Sequence, residues 1–177
     1  MSVTLRSIQR QPIHVALAAL APIALGGIVA LRAGQPSAIV AVPAIVFGVV
    51  AATAPALYIA SAVTAASGGN RAPTIAGTAR AIAIALGAFG IALAGFVLPA
   101  AFLALTTTSN STTPIIATAA LGGAGLVALR RLGRELHTAA APPASTIAPR
   151  VVFAVWSIAT MVIAARLWLE FTQEVFA

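Results

Sequence analysis

Five long apolar stretches, separated by short polar or glycine- and proline-containing segments, dominate this 177-residue chain. Most of them are long enough at the helical rise to cross the roughly 30 Å hydrocarbon layer of a bilayer. The pattern therefore predicts an all-α fold, an integral membrane bundle of about five transmembrane helices in a single transmembrane domain, 1–177. The predicted spans are 12–31, 38–66, 81–105, 115–129 and 151–169.

The first and fourth stretches each need a further argument. A charged start before an apolar run also resembles a cleavable signal peptide. This run of about 20 residues is longer than the apolar core of a normal signal peptide, and it ends at Arg32 rather than at a small-residue cleavage site. The fourth stretch covers only about 22 Å. Its helix is nevertheless predicted to continue past Arg130 to about Ala140, because Leu132 and Leu136 extend the apolar stripe. That extension would lie partly along the membrane surface.

Composition supports the membrane prediction and excludes several chemistries. Apolar residues make up 60% of the chain, charged residues 7%, and the mean hydropathy is +1.05. The chain contains no Lys, Asp or Cys, which excludes a retinal Schiff base, an aspartate-pair protease and a thiolate metal site. The net charge of +7 comes from arginines beside apolar spans, without a polar face of stacking aromatics, so no nucleic-acid partner is expected.

The arginines are unevenly distributed over the predicted topology, and this sets its orientation. Arg32 and Arg166 lie near the ends that would be outside if the N-terminus is cytoplasmic. The other eight then fall on the cytoplasmic side: Arg6, Arg10, Arg71, Arg80, Arg130, Arg131, Arg134 and Arg150. The positive-inside rule therefore predicts N-in and C-out. Heavy Ala and Arg usage without Lys is typical of a high-GC bacterial gene, so the predicted location is the bacterial inner membrane.

Three groups of residues are predicted to make contacts. Small residues on the third span would let another helix backbone approach closely: Ala79, Ala83, Gly87 and Gly95. A basic cluster beyond the fourth span would contact anionic lipid headgroups: Arg130, Arg131 and Arg134. Trp156 and Trp168 stand near the two ends of the last span, where indoles favour the headgroup layer.

The sequence offers little for catalysis or cofactor binding. The middles of the first four spans contain no ionisable residue, and buried charges usually mark ion or proton pathways. Arg166 and Glu170 are four apart and predict a local surface pair. His14 and His137 could in principle ligate a haem, a metal or a chlorophyll, but they belong to no motif. The prediction is therefore a non-enzymatic protein with no cofactor and no metal.

One family resemblance follows from the topology. Five spans with N-in and C-out, a short first hairpin and a small-residue turn Ala-Ala-Ser-Gly-Gly-Asn at 65–70 resemble the bacterial relatives of the Yip1 family. The resemblance covers about residues 12–169 and implies a non-enzymatic helical bundle concerned with membrane organisation or protein association. No functional residue carries over, because the Asp-Leu-Tyr-Gly-Pro type signature of the eukaryotic members is absent.

Three functional hypotheses follow. The first is a structural or interaction protein, an accessory subunit of a larger membrane complex, because small-residue faces are abundant and catalytic residues are scarce. Its partners would be the lipid bilayer and other membrane subunits. The second is a transporter or channel component, supported by the prolines of the second and third spans and opposed by the lack of buried charge. The third is a pigment- or haem-binding subunit, supported by the two histidines.

Overall fold

The computed structural model describes residues 3–67, 73–109, 112–139 and 147–176, with side chains at 3–15 and 137–139 left outside that description. Within these ranges the chain forms five helices and no strand: α1 Val3–Ala33, α2 Ala38–Ser67, α3 Ile75–Thr106, α4 Thr112–Ala139 and α5 Ile147–Phe176. All five are long and apolar enough to cross a membrane. The predicted all-α membrane bundle is confirmed, and its N-in/C-out orientation stays a prediction.

The α3 and α4 helices extend beyond their predicted spans for local reasons. α3 begins six residues earlier, because Thr74 caps its N-terminus and accepts a hydrogen bond from the Gly77 N–H at 3.0 Å. This start places Arg80 within the helix rather than before it. α4 continues through Arg130 to Ala139, where the apolar stripe of leucines led us to expect its end.

The helices pack in an open arc. α3 contacts α4 on one side and α1 on the other, α2 packs on α1, and α5 packs on α2. The arc therefore runs in the order α4, α3, α1, α2, α5. The backbones of its two ends, α4 and α5, stand apart and are bridged by side chains such as Trp168, and the backbones of α2 and α3 also share few contacts. Space remains inside the arc, between α2, α3, α4 and α5.

Glycines bring the α1 backbone against its two neighbours. A Cβ placed on Gly90 of α3 would lie 2.4 Å from the backbone nitrogen of Ala18. On the other side of α1, a Cβ placed on Gly26 would lie 2.6 Å from the carbonyl oxygen of Ala38. Close backbone approach of this kind maximises van der Waals contact, which drives helix association inside lipid.

The small-residue row predicted for α3 lies only partly in this packing. Gly87 is buried, whereas Ala79, Ala83 and Gly95 are exposed, and a Cβ on Gly95 would meet no described atom within 4 Å. The buried side of α3 includes Ala81 instead. Ala83 lies two residues further along the helix, a rotation of about 200°, so its side chain points away from that buried side. The exposed members can contact only another molecule, so that role remains a prediction.

Arg32 joins the ends of α1 and α3. Its Nη2 donates to the carbonyl oxygens of Thr107 at 3.0 Å and Ser109 at 3.4 Å, directly after the last turn of α3. A cation at a helix C-terminus is favourable because it meets the negative end of the helix dipole. The contact also shows that α1 and α3 finish at the same end of the bundle, here called the Arg32 end.

The two ends of the bundle differ in charge. The opposite end, the Arg80 end, is where α3 and α5 begin and α2 and α4 finish. Among described side chains it has five arginines and Glu135, a balance of +4: Arg80, Arg130, Arg131, Arg134 and Arg150. The Arg32 end has two arginines and two glutamates, a balance of zero: Arg32, Arg166, Glu170 and Glu174. The asymmetry supports a cytoplasmic Arg80 end.

This orientation predicts the behaviour of topology reporters. A reporter fused after residue 177 should report an extracytoplasmic location, and one inserted between residues 138 and 148 a cytoplasmic location. Paired phosphatase and fluorescent-protein fusions measure both positions. The same side for both insertions would contradict the predicted crossing by α5.

Candidate ligand-binding cleft

A cavity of about 290 Å³ lies between α2, α3, α4 and α5 and is here called the cleft. Its lining is aliphatic or aromatic except for one methionine, two glycines and three threonines: Met161, Gly122, Gly125, Thr53, Thr118 and Thr160. No ionisable side chain contributes to the described lining. Such a site favours an apolar molecule over an ion or a polar metabolite.

The cleft exists because large and small residues alternate along its walls. On α5, Thr160, Ala164 and Ala165 line the cleft between Trp156 and Trp168. The two tryptophans stand twelve residues apart, about 18 Å along the helix. Across the cleft, α4 contributes two glycines, and Met161 of α5 reaches to within 3.8 Å of the position of a Cβ on Gly125. The indoles stand at the two ends.

At the Arg80 end, Trp156 bounds the cleft. Its Nε1 donates to the carbonyl oxygen of Thr53 on α2 at 3.0 Å. Its ring lies 6.0 Å from the ring of Phe153, and both rings pack against buried Leu57 and Leu132. This cluster ties α5 to α2 and α4.

At the Arg32 end, Trp168 has the corresponding role. It is 5% exposed, and its Nε1 donates to the Thr118 hydroxyl at 2.7 Å. The ring of Phe171 lies 5.3 Å away and belongs to the same apolar cluster. The two indoles therefore bound the cleft at its two ends.

The indole N–H groups of Trp156 and Trp168, which the sequence predicts at the headgroup layer, bond inside the bundle, and their depth in the membrane stays a prediction. Each N–H is used inside the bundle, in the contacts with Thr53 and Thr118. A signal for the inward arrangement was present in the sequence. Positions 156, 160, 164 and 168 share one helical row, with small residues between two tryptophans, whereas anchors alone do not require a common row.

The size of the cleft bounds what could occupy it. An engineered apolar cavity of about 150 Å³ in another protein binds benzene, so this cleft suits a molecule about twice that size.

The three threonine hydroxyls of the cleft differ in their hydrogen bonding. Thr53 donates to the Val49 carbonyl oxygen at 2.8 Å, and Thr118 donates to the Pro114 carbonyl oxygen at 2.6 Å. The buried Thr160 hydroxyl oxygen has no hydrogen-bond partner among the described residues. Thr160 was not among the residues singled out from the sequence.

The predicted headgroup cluster lies apart from the cleft. Arg131 forms an ion pair with Glu135 at 2.7 Å, and Arg130 and Arg134 are exposed. None of the three lines the cleft. Their contact with anionic lipid remains a prediction about the membrane surface.

The remaining charged candidates, Arg166 and Glu170, do not line the cleft. Arg166 and Glu170 form an exposed pair at 3.0 Å on α5. The side chains of His14 and His137 lie outside the described residues. Within the described part of the chain, no group of three His, Cys, Asp or Glu residues could hold a metal ion.

No protein-family model, curated protein or solved structure matches the chain.

Proposed function

We propose that this protein is a small, non-enzymatic membrane protein that binds an apolar, membrane-soluble molecule in the cleft. The observation that carries the proposal is the cleft itself, about 290 Å³ of space walled by four helices with no ionisable side chain in the described lining. Such walls gain by van der Waals contact with hydrocarbon. They offer nothing to hold an ion.

The same walls argue against the alternative functions. Ion and proton pathways through membranes depend on buried charged side chains, and general acid–base chemistry depends on a positioned titratable group. Neither occurs in the described lining. A role in binding and association fits the residues better than transport of charged species or catalysis does.

An accessory-subunit role fits the outer surface. The exposed residues Ala79, Ala83 and Gly95 leave part of α3 nearly without side chains, which allows the backbone of a partner helix to approach. We propose that such a partner is another membrane subunit and that the location is the bacterial inner membrane. The Yip1-family resemblance implies the same class of function. Exposed Arg130 and Arg134 would face anionic headgroups.

A matched pair of glycine substitutions tests the binding proposal. Gly122 lines the cleft, and a Cβ there meets no described atom within 4 Å, so Gly122→Leu would extend a side chain from a cleft-lining position. Gly48 on α2 is equally open but exposed and outside the cleft lining, so Gly48→Leu is the control. Both changes carry the same gain in helix propensity.

The readout is the emission of Trp156 and Trp168, the two tryptophans of the chain, both of which line the cleft. Titration of detergent-solubilised protein with decalin, a transparent bicyclic hydrocarbon, should shift their emission saturably in the wild type and in Gly48→Leu. Gly122→Leu should lose the saturable response and keep its helical circular dichroism. An identical response in all three proteins would refute binding in the cleft.

A further inference from the structure

Building on the proposed binding function, we propose that the guest passes between the cleft and the bilayer through the seam between α4 and α5, with the Met161 side chain as its gate. The seam is the line along which these two helices face each other. The gate sets how fast the guest exchanges, whereas the walls of the cleft set how tightly it binds.

The α4–α5 seam differs from the other walls of the cleft in its backbone packing. α3 packs on α4, and α2 packs on α5. The backbones of α2 and α3 share few contacts, but α1 packs on both helices and backs the gap between them. No described helix packs in this way on both α4 and α5. Side chains are therefore what bridges the seam.

The two outer bridges of the seam are firmly held. At the Arg80 end, Cε1 of Phe153 lies 3.0 Å from where a Cβ on Gly133 would be, and the Phe153 ring packs on Trp156. At the Arg32 end, buried Trp168 donates from its Nε1 to the Thr118 hydroxyl at 2.7 Å. Opening either bridge would break aromatic packing or a hydrogen bond.

The central bridge is the weakest of the three. The Met161 sulfur lies 3.8 Å from where a Cβ on Gly125 would be, an ordinary van der Waals separation, and Met161 lines the cleft. Both residues stand about two helical turns from each outer bridge on their own helices. Because methionine is unbranched and has three rotatable side-chain bonds, rotation can withdraw it from the seam. Gly125 has no side chain to take its place, so the rotation opens a gap.

The central bridge also lies at the depth where a membrane-soluble guest would meet it. Met161 and Gly125 are near the midpoints of α5 and α4. Their sequence neighbours Val162 and Leu126 are exposed and apolar. A guest dissolved in the hydrocarbon core therefore reaches this point without crossing the headgroup layer.

A reversible cross-link tests the gate. The chain contains no cysteine, so Gly125→Cys with Met161→Cys introduces a single pair of thiols, which a short bis-methanethiosulfonate reagent joins and a reductant releases. Stopped-flow tryptophan emission in detergent measures how fast decalin enters and leaves. Cross-linking should slow both rates about ten-fold or more, since a covalent bridge cannot rotate out of the seam, and reduction should restore them.

Phe96→Cys with Gly123→Cys is the matched control. A Cβ on Gly123 would lie 3.3 Å from the Phe96 ring, so the same reagent reaches across this pair. It joins α4 to α3 rather than to α5, and neither residue lines the cleft. Cross-linking of the control pair should leave both rates unchanged.

A second pair of variants tests Met161 without a cross-link. Met161→Ala removes the central bridge and should speed both entry and exit about three-fold, the effect of a few lost van der Waals contacts. A change in affinity alone would appear mainly in the exit rate. Val162→Ala changes an exposed neighbour that does not line the cleft and should leave both rates unchanged.

The outcomes separate the gate from the binding site. Equal rates before and after the central cross-link would overturn passage through the seam while leaving binding in the cleft intact. Unchanged rates in Met161→Ala would show that Met161 is not the gate. Absence of saturable decalin binding in the wild type would overturn the proposed function itself.

Discussion

Replacing Gly90 by alanine should lower the free energy of unfolding by about 3 kcal/mol, at the upper end of overpacking effects. The added Cβ would lie 2.4 Å from the Ala18 nitrogen and 2.5 Å from its Cα. These are backbone atoms of α1, which no rotamer change can move aside. The α1 and α3 helices must therefore separate, and van der Waals attraction between their backbones is lost.

Gly95→Ala is the control for this prediction. Gly95 lies on the same helix, but its Cβ would meet no described atom within 4 Å. Its substitution should leave stability unchanged or raise it by up to about 1 kcal/mol through helix propensity. Thermal unfolding in detergent, followed by circular dichroism, compares the two. Equal Tm values would mean that α1 does not approach α3 as closely as described.

Trp168→Ala should destabilise the bundle by about 3 kcal/mol, near the lower limit for removal of a buried tryptophan. We expect the lower value because lipid is as apolar as the protein interior. The variant loses van der Waals contacts but gains no cost from exposing apolar surface to water. The change also removes the hydrogen bond to Thr118 at 2.7 Å and opens the cleft at the Arg32 end. α5 would keep only its contacts around Trp156 and α2.

Two variants separate these contributions. Trp168→Phe retains most of the ring but not the N–H donor, and should lose about 1 kcal/mol, the value of one hydrogen bond. Leu167→Ala changes the neighbouring side chain, which is 40% exposed, and should have little effect. The Tm measured from unfolding curves should therefore be lowest for Trp168→Ala, intermediate for Trp168→Phe and highest for Leu167→Ala. A loss for Leu167→Ala as large as for Trp168→Ala would show that α5 packs in a different rotation.

The existence of the five helices could be predicted from the sequence because it depends on local hydropathy. Length and apolar content along one segment decide whether it can satisfy its backbone inside lipid. The residues at which each helix begins and ends were harder to predict. The early start of α3 depends on the Thr74 cap, a single side-chain hydrogen bond that a hydropathy average does not register.

The cleft could not be predicted, because it depends on which helices pair. Gly122 and Ala164 create space only because α4 and α5 stand apart across the arc. The same limit applies to Gly90. Gly87, Gly90 and Gly95 look alike in the sequence, and only the position of α1 decides which of them meets a backbone. A tryptophan near a span end also has two physical uses, facing headgroups or closing an interior, and composition alone does not choose between them.

The attachment of α5 to α2 has a consequence for biogenesis. The hydrogen bond from Trp156 to Thr53 joins residues 103 positions apart, so the ribosome must make nearly the whole chain before it can form. During synthesis, the surface of α2 that α5 will cover faces lipid or the insertion machinery. Closing a loop of this length is entropically costly, so the contact between α2 and α5 forms late. An unfinished molecule therefore differs from a finished one in having an α2 surface that α5 has not yet covered.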